Sequence, residues 1–135
     1  MNVAELIKPG TTLEQTFMVD EDKTARHIGS GNSRVLATPW LIAFMERLCN
    51  QMLMEVLPEG YSSVGVMVTV HHLAPTPVNG WVKVKAEVLS IDGNSVTFSV
   101  QAWDDHDQVG AGQHQRAIID LERFLKRVNA KNHNE

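Results

Sequence analysis

Residues 38–56, TPWLIAFMERLCNQMLMEV, carry the feature that most limits the fold. Leu41, Ile42, Met45, Leu48, Cys49, Met52, Leu53 and Val56 recur at helical spacing, which at about 100° per residue gathers them into one stripe. The spacing predicts a helix of about 18 residues. Thr38 suits its N-cap and Pro39 its first helical position, and Pro58 and Gly60 end it. Arg47, Asn50, Gln51 and Met54 fall on the far side, and Glu46 falls at the border of the stripe, beside Ile42 and Leu53. A stripe this long must be covered along its whole length, so the remaining chain has to supply a surface of matching reach.

The segments after the helix supply it as strands. SSVGVMVTVHHLAP (62–75) is valine-rich and alternating. GWVKVKAEVLSI (80–91) sets Val82, Val84, Ala86 and Val88 against Lys83, Lys85 and Glu87. Asp92-Gly93 is a tight-turn signal. SVTFSVQAW (95–103) keeps Val96, Phe98, Val100 and Ala102 in phase, and VGAGQHQRAIIDLERFL (109–125) reads as a last long strand. Before the helix, TLEQTFMV (12–19) reads as a first strand, and residues 20–34 as irregular, with GSGNS (29–33) a mobile loop. Short turns make antiparallel neighbours. The expected class is therefore α+β: one long central helix wrapped by a curved antiparallel sheet of about five strands.

At 135 residues and 43% hydrophobic content the chain fits one domain with a real core, placed at 1–125, followed by a polar tail at 126–135 expected to fray. A net charge of −4 with unclustered basic residues argues against nucleic acid as a partner. No run reaches the roughly 18 apolar residues of a membrane span. The single cysteine, Cys49, cannot form an internal disulfide, which points to a reducing cytoplasm; within the stripe it reads as a small core residue.

Five positions are candidates for chemistry. Glu46, at the stripe's border, is either an ordinary solvated charge or a carboxylate held at a core edge for acid–base or nucleophilic work. His71 and His72 point to opposite faces of their strand. His72 shares the apolar phase of Val64, Val66, Val68 and Val70, so it is either a hydrogen-bonded core histidine or a proton-transfer group. Thr38 is a structural cap, or a hydroxyl for the site at a helix N-terminus. It lies eight residues from Glu46, roughly 12 Å along the axis, so a substrate or another subunit must bridge the two. Gly65 marks a bulge, or a close backbone approach whose N–H polarises a carbonyl. Arg116, on one face with His114, binds a phosphate or forms a surface salt bridge. No spacing of His or Cys suggests a metal.

Four stretches, in order and with matching gaps, resemble the fluoroacetyl-CoA thioesterase-like branch of the hot-dog superfamily: TARHIG, VLATPWLIAFME, SVGVMVTVHHLAPTP and GAGQHQRAIIDLERF. The resemblance spans about residues 10–125. It implies the hot-dog fold and a homodimer joined edge to edge, with active sites at the subunit interface; pairing of such dimers would give a tetramer. It implies an acyl-CoA substrate cleaved to free acid and CoA, with no cofactor beyond the CoA of the substrate itself. Carried over residue by residue, it assigns catalysis to Thr38, Glu46 and His72, the glycine beside the thioester to Gly65, and the CoA contact to Arg116. Fluoroacetyl-preferring relatives carry a longer, phenylalanine-bearing lid before the helix, and a glycine where Pro39 stands. Here the segment is HIGSGNSRVLAT, so the expected acyl group is small but different or broader. Two other activities suit such a domain: acyl-thioester dehydration or hydration, and acyl-CoA binding without turnover.

Overall fold

The computed structural model describes residues 1–132. Its elements are α1 (Val3–Leu6), β1 (Thr12–Met18), a short 3-10 turn (Glu21–Lys23), α2 (Ala25–Ile28), α3 (Thr38–Met54), β2 (Tyr61–His72), β3 (Trp81–Asp92), β4 (Ser95–Trp103), β5 (Gln108–Asp120) and α4 (Leu121–Ala130). All strand pairs are antiparallel, in the order β1-β3-β4-β5-β2. One α3 lies along one face of this five-stranded sheet, the α+β arrangement expected from the sequence. Among the described residues no helix is long and apolar enough to cross a membrane.

The helix buries Leu41, Phe44, Met45, Leu48, Cys49, Met52 and Leu53. Phe44 joins the expected stripe and Ile42 is only half-buried. The reason is tertiary: Phe44 stacks on Phe17 of β1, with ring centroids 4.3 Å apart and planes at 12°. From the sheet, Val82, Val84, Ala86 and Val88 of β3 and Val96, Phe98, Val100 and Ala102 of β4 are all fully buried against it. Each such aliphatic side chain contributes about 1.5–3 kcal/mol. Cys49 lies in this core, where burial pushes its thiol up to about 12.

Three expectations are corrected. First, Ala37, not Thr38, occupies the N-cap, with Pro39 in the first turn behind it, so Thr38 opens the helix with its hydroxyl free of capping duty. Second, β2 does not neighbour β3. Its eight-residue connection, 73–80, carries the chain across the end of the helix, held there by Leu36 N–H to the Thr76 carbonyl at 2.8 Å and by Thr76 Oγ1 to Asp104 at 2.9 Å. β2 therefore ends up at the sheet edge, paired only with β5. Third, the last strand ends at Asp120. Its carboxylate accepts from Arg123 N–H at 3.1 Å and caps α4, so residues expected to be strand end and fraying tail are helical through Ala130. The last three residues of that tail, 133–135, lie outside the described residues.

β2 also breaks phase. Its register with β5 shifts between Gly65 and Met67, leaving Val66 as an extra residue. A bulge of this kind reverses which parity faces the core. Before it, Ser63 and Gly65 face the helix; after it, Val70 and His72 do. Val66, expected in the apolar phase, is 56% exposed.

Candidate active site

The first turn of α3 and the last residue of β2 meet. Thr38 Oγ1 lies 2.7 Å from His72 Nδ1, a contact across 34 residues of sequence. His72 is half-buried, and its other ring nitrogen, Nε2, is buried with no hydrogen-bond partner. An imidazole has one donor and one acceptor nitrogen when neutral. With Nδ1 engaged by the threonine, Nε2 is the atom left for exchange with something else. Burial lowers the pKa of His72, opposed by the Ala74 backbone, so the neutral form is favoured. The pair opens into a cleft of about 330 Å³, walled by Ser30, Val35, Leu73 and Pro75 among others. The short segment before the helix thus borders the site, as its place in the sequence suggested.

Two turns further along α3, a second cluster forms around Glu46. A Cβ built on Gly65 would stand 2.9 Å from Glu46 Oε2, 3.1 Å from His114 Cε1 and 3.5 Å from Arg116 Nη1. Only glycine at this point of the bulge allows the carboxylate, the imidazole and the guanidinium to close on the strand backbone. Gly65 is both of the things its sequence position suggested, a bulge residue and a close backbone approach. A second cleft, about 300 Å³, is lined by Ala43, Glu46, Arg47, Asn50 and Arg116.

Arg116 is placed differently from its expectation. It is only 7% exposed and faces the helix, not solvent. Its Nε donates to Ser63 Oγ at 2.8 Å, Nη2 to the Ser63 carbonyl at 3.2 Å and Nη1 to His114 Nε2 at 3.0 Å. Ser63 in turn donates to Asn50 Oδ1 at 2.9 Å. A guanidinium whose Nε, Nη1 and Nη2 each contact Ser63, Asn50 or His114 is not a surface salt bridge. Among the described residues Glu46 forms no salt bridge with it. Burial lowers the Arg116 pKa, and the Glu46 charge opposes that.

Sequence reasoning thus identified Thr38, Glu46, His72, Gly65 and Arg116, and the structure collects them into two groups rather than one. Thr38 joins His72; Glu46 joins Gly65 and Arg116. Three members of the second group went unassigned: His114, Ser63 and Asn50. Asn50 was placed on the outer helix face, yet it is half-buried and accepts from Ser63. The usable signal was Arg116 itself, since an inward arginine requires several acceptors around it.

The chain resembles known proteins over most of its length. The profile of the FlK family, fluoroacetyl-CoA-specific thioesterase, matches residues 19–122. The fluoroacetyl-CoA thioesterase of Streptantibioticus cattleyicolor is 33% identical over 131 residues, covering 93% of this chain and 94% of that one. A crystal structure of a variant of FlK, in complex with fluoroacetate and CoA, superposes with a TM-score of 0.84 at 33% identity, over 87% of this chain and 99% of that one. A hot-dog-like protein from Thermanaerovibrio acidaminovorans superposes with a TM-score of 0.92 at 29% identity, over the full length of both. The helix-wrapped sheet is thus the hot-dog fold, and the chain belongs to the fluoroacetyl-CoA-specific thioesterase family.

Proposed function

We propose that this protein is an acyl-CoA thioesterase, which hydrolyses a small acyl-CoA to the free acid and CoA, and that it works as a homodimer in the cytoplasm. The observation that carries the reading is the pairing of an inward carboxylate, Glu46 over Gly65, with a buried histidine nitrogen, His72 Nε2, that has no partner of its own.

The two groups lie about 12 Å apart along one helix, by its rise per residue. A second subunit joins them. β2 is a twelve-residue edge strand with one side unpaired, and it exposes Val66 and Val68. Such an edge is a template for pairing. Two copies of β2 running antiparallel about a two-fold axis between Gly65 and His72 bring the His72 end of one strand to the Gly65 end of the other. Each site then takes Thr38 and His72 from one protomer and Glu46, Gly65 and Arg116 from its partner.

In that site the thioester carbonyl lies against the Gly65 N–H, which stabilises the oxyanion. Two routes are open to Glu46. It attacks the carbonyl carbon and forms an anhydride that water then cleaves, or it takes a proton from the attacking water. Both break the C–S bond and release CoA as thiolate. The neutral His72 takes up the water's proton at Nε2, directly or by way of Glu46, and delivers it to the departing thiolate, while Thr38 holds its ring through Nδ1. Arg116, buried beside Glu46, sits at the acyl end of the substrate instead of at the nucleotide phosphates. No cofactor is required beyond the CoA of the substrate. The absence of phenylalanine between Ala25 and Ala37 leaves the acyl group small but not committed to fluoroacetyl.

Purified protein given a panel of short acyl-CoAs should release thiol, read with a thiol reagent. No turnover across a broad panel would overturn the assignment, and conversion of crotonyl-CoA to a hydroxyacyl-CoA without thiol release would mark a hydratase. The shared site has its own test. Glu46→Gln and His72→Ala are each inactive alone, but mixed and reassembled they should regain up to about a quarter of wild-type activity, because each mixed dimer carries one intact site. Mixtures that stay inactive while mixed dimers form would sink the shared site.

A further inference from the structure

His114 is buried, 1% exposed, and takes no part in the reaction just described. Its two contacts fix its chemistry. Nδ1 lies 2.9 Å from the Met67 carbonyl, which can only accept, so Nδ1 carries the proton. Nε2 lies 3.0 Å from Arg116 Nη1, which can only donate, so Nε2 offers its lone pair. Both contacts demand the same neutral tautomer. The two ends of the ring also touch two different parts of the site. Met67 closes the bulge that starts at Gly65, and Nη1 is the guanidinium nitrogen nearest the Gly65 Cβ position, which Glu46 Oε2 also approaches.

Resting on the thioesterase reading above, we propose that His114 is a positioning residue. By accepting one N–H of Arg116 Nη1, it aims the other at the cleft shared by Glu46 and the acyl group. The remaining contacts of Arg116 leave this task to His114. Ser63 holds Nε and Nη2 at 2.8 and 3.2 Å, and Asn50 stands 3.5 Å from Nη2; among the described residues only the imidazole engages Nη1. Without it the plane of the guanidinium is free to tilt about its anchored edge. The nitrogen that loses its partner is Nη1, the one nearest Gly65.

Two conservative variants separate this role from a structural one. In His114→Asn the short amide falls near the Nδ1 position, so it keeps the bond to the Met67 carbonyl and loses the acceptor for Arg116. In His114→Gln the longer amide reaches the Nε2 position, so it keeps the acceptor and loses the bond to Met67. Displacing a site group by about 1 Å costs on the order of 100-fold, so His114→Asn should lower kcat/KM by about 10–100-fold, and His114→Gln should recover most of that loss. If Asn keeps the activity and Gln loses it, His114 merely pins the bulge and the proposal is wrong; it is equally wrong if both variants retain full activity or both lose it alike. A second measurement does not depend on turnover. In 15N-labelled protein the Arg116 Nη groups should show separate, slowly rotating signals in the wild type and in His114→Gln, averaged in His114→Asn. Averaged signals in the wild type overturn the proposal whether or not any acyl-CoA is hydrolysed. An acyl-CoA panel with no turnover, alongside this pattern of signals, overturns the thioesterase reading and leaves the positioning role standing.

Discussion

The two halves of the sheet face the same helix and are built to opposite rules. In β3 and β4 every inward residue from Val82 to Val88 and from Val96 to Ala102 is apolar and fully buried, with the polar residues facing out. In β2 and β5 the inward residues include Ser63, Gly65, His72, Gly110, His114 and Arg116. Two of those are glycines because the neighbours leave no room: a Cβ on Gly110 would stand 2.9 Å from Leu41 Cδ2, and one on Gly65 equally close to Glu46. The first half holds the helix in place. The second half gives up hydrophobic burial to bring ionisable groups against it, and every sequence-derived site residue except those on the helix itself lies there. Polar groups buried this way are tolerated only when hydrogen-bonded, and the one left without a partner among the described residues, His72 Nε2, is the one assigned to react.

Substitutions in the two halves should therefore fail in different ways. The largest expected effect on activity is at Glu46: Glu46→Gln should lower kcat by about 10²–10⁴-fold, the usual contribution of a positioned acid–base group, with little change in melting temperature. Retention of more than a tenth of wild-type kcat would remove Glu46 from the chemistry. Single-turnover hydrolysis in 18O-labelled water then separates its two routes, since only a nucleophilic Glu46 acquires label in its own side chain. Next comes Gly65→Ala, whose methyl cannot coexist with the carboxylate where it stands; about 100-fold loss of kcat/KM is expected from the displaced carboxylate. In the other half, Phe98→Ala should cost about 3–5 kcal/mol of stability and leave kcat per folded molecule near wild type. Calorimetry and active-site-normalised kinetics on these three variants test the division. A Phe98→Ala protein that is stable but inactive would break it.

The same division decides what could be read from the chain. Strict alternation in β3 and β4 makes their inward faces legible residue by residue, because one parity is apolar and the other polar or charged. β2 has valines on both sides of its bulge, so the single extra residue at Val66 leaves no trace in the hydrophobic pattern, and the phase of His72 was right only after the bulge. Arg116 reads from the sequence as a phosphate contact or a surface salt bridge, and only the coming together of Ser63, Asn50 and His114 from three elements holds it inside. The edge position of β2 depends on an eight-residue connection held by Thr76, a contact between distant segments. α4 did have a local signal. Asp120 followed by Leu121, Phe124, Leu125 and Val128 is a capped helix with an apolar stripe, hidden by the β-branched run of Ile118 and Ile119 just before it.

A smaller effect is expected at Thr38, which lies on the helix but serves the β2 end. Thr38→Val removes the hydroxyl that holds His72 Nδ1 at 2.7 Å while keeping the shape of the side chain. The loss should be about tenfold in kcat, about 1.4 kcal/mol, within the roughly 0.5–1.5 kcal/mol of one hydrogen bond. Thr38→Ser should restore it. If Val and Ser behave alike, the threonine acts through its shape alone.

The smallest effect separates the two halves by pH. β3 and β4 bury no ionisable group, whereas the β2–β5 half buries two histidines. Desolvation lowers both His72 and His114 below the ordinary 6.5, and for His114 the Arg116 charge adds to it. An unfolded chain takes up these two protons at higher pH than the folded one does. Wherever the unfolded state binds more protons, stability rises with pH. Stability should therefore be flat above about 7 and fall as pH drops below 6.5 through the folded-state values, well before the carboxylates titrate. Thermal melts from pH 8 to pH 5 should show that fall, and His72→Asn should flatten part of it. The remainder belongs to His114, and a melting temperature independent of pH over this range would mean that neither imidazole is held neutral by the fold.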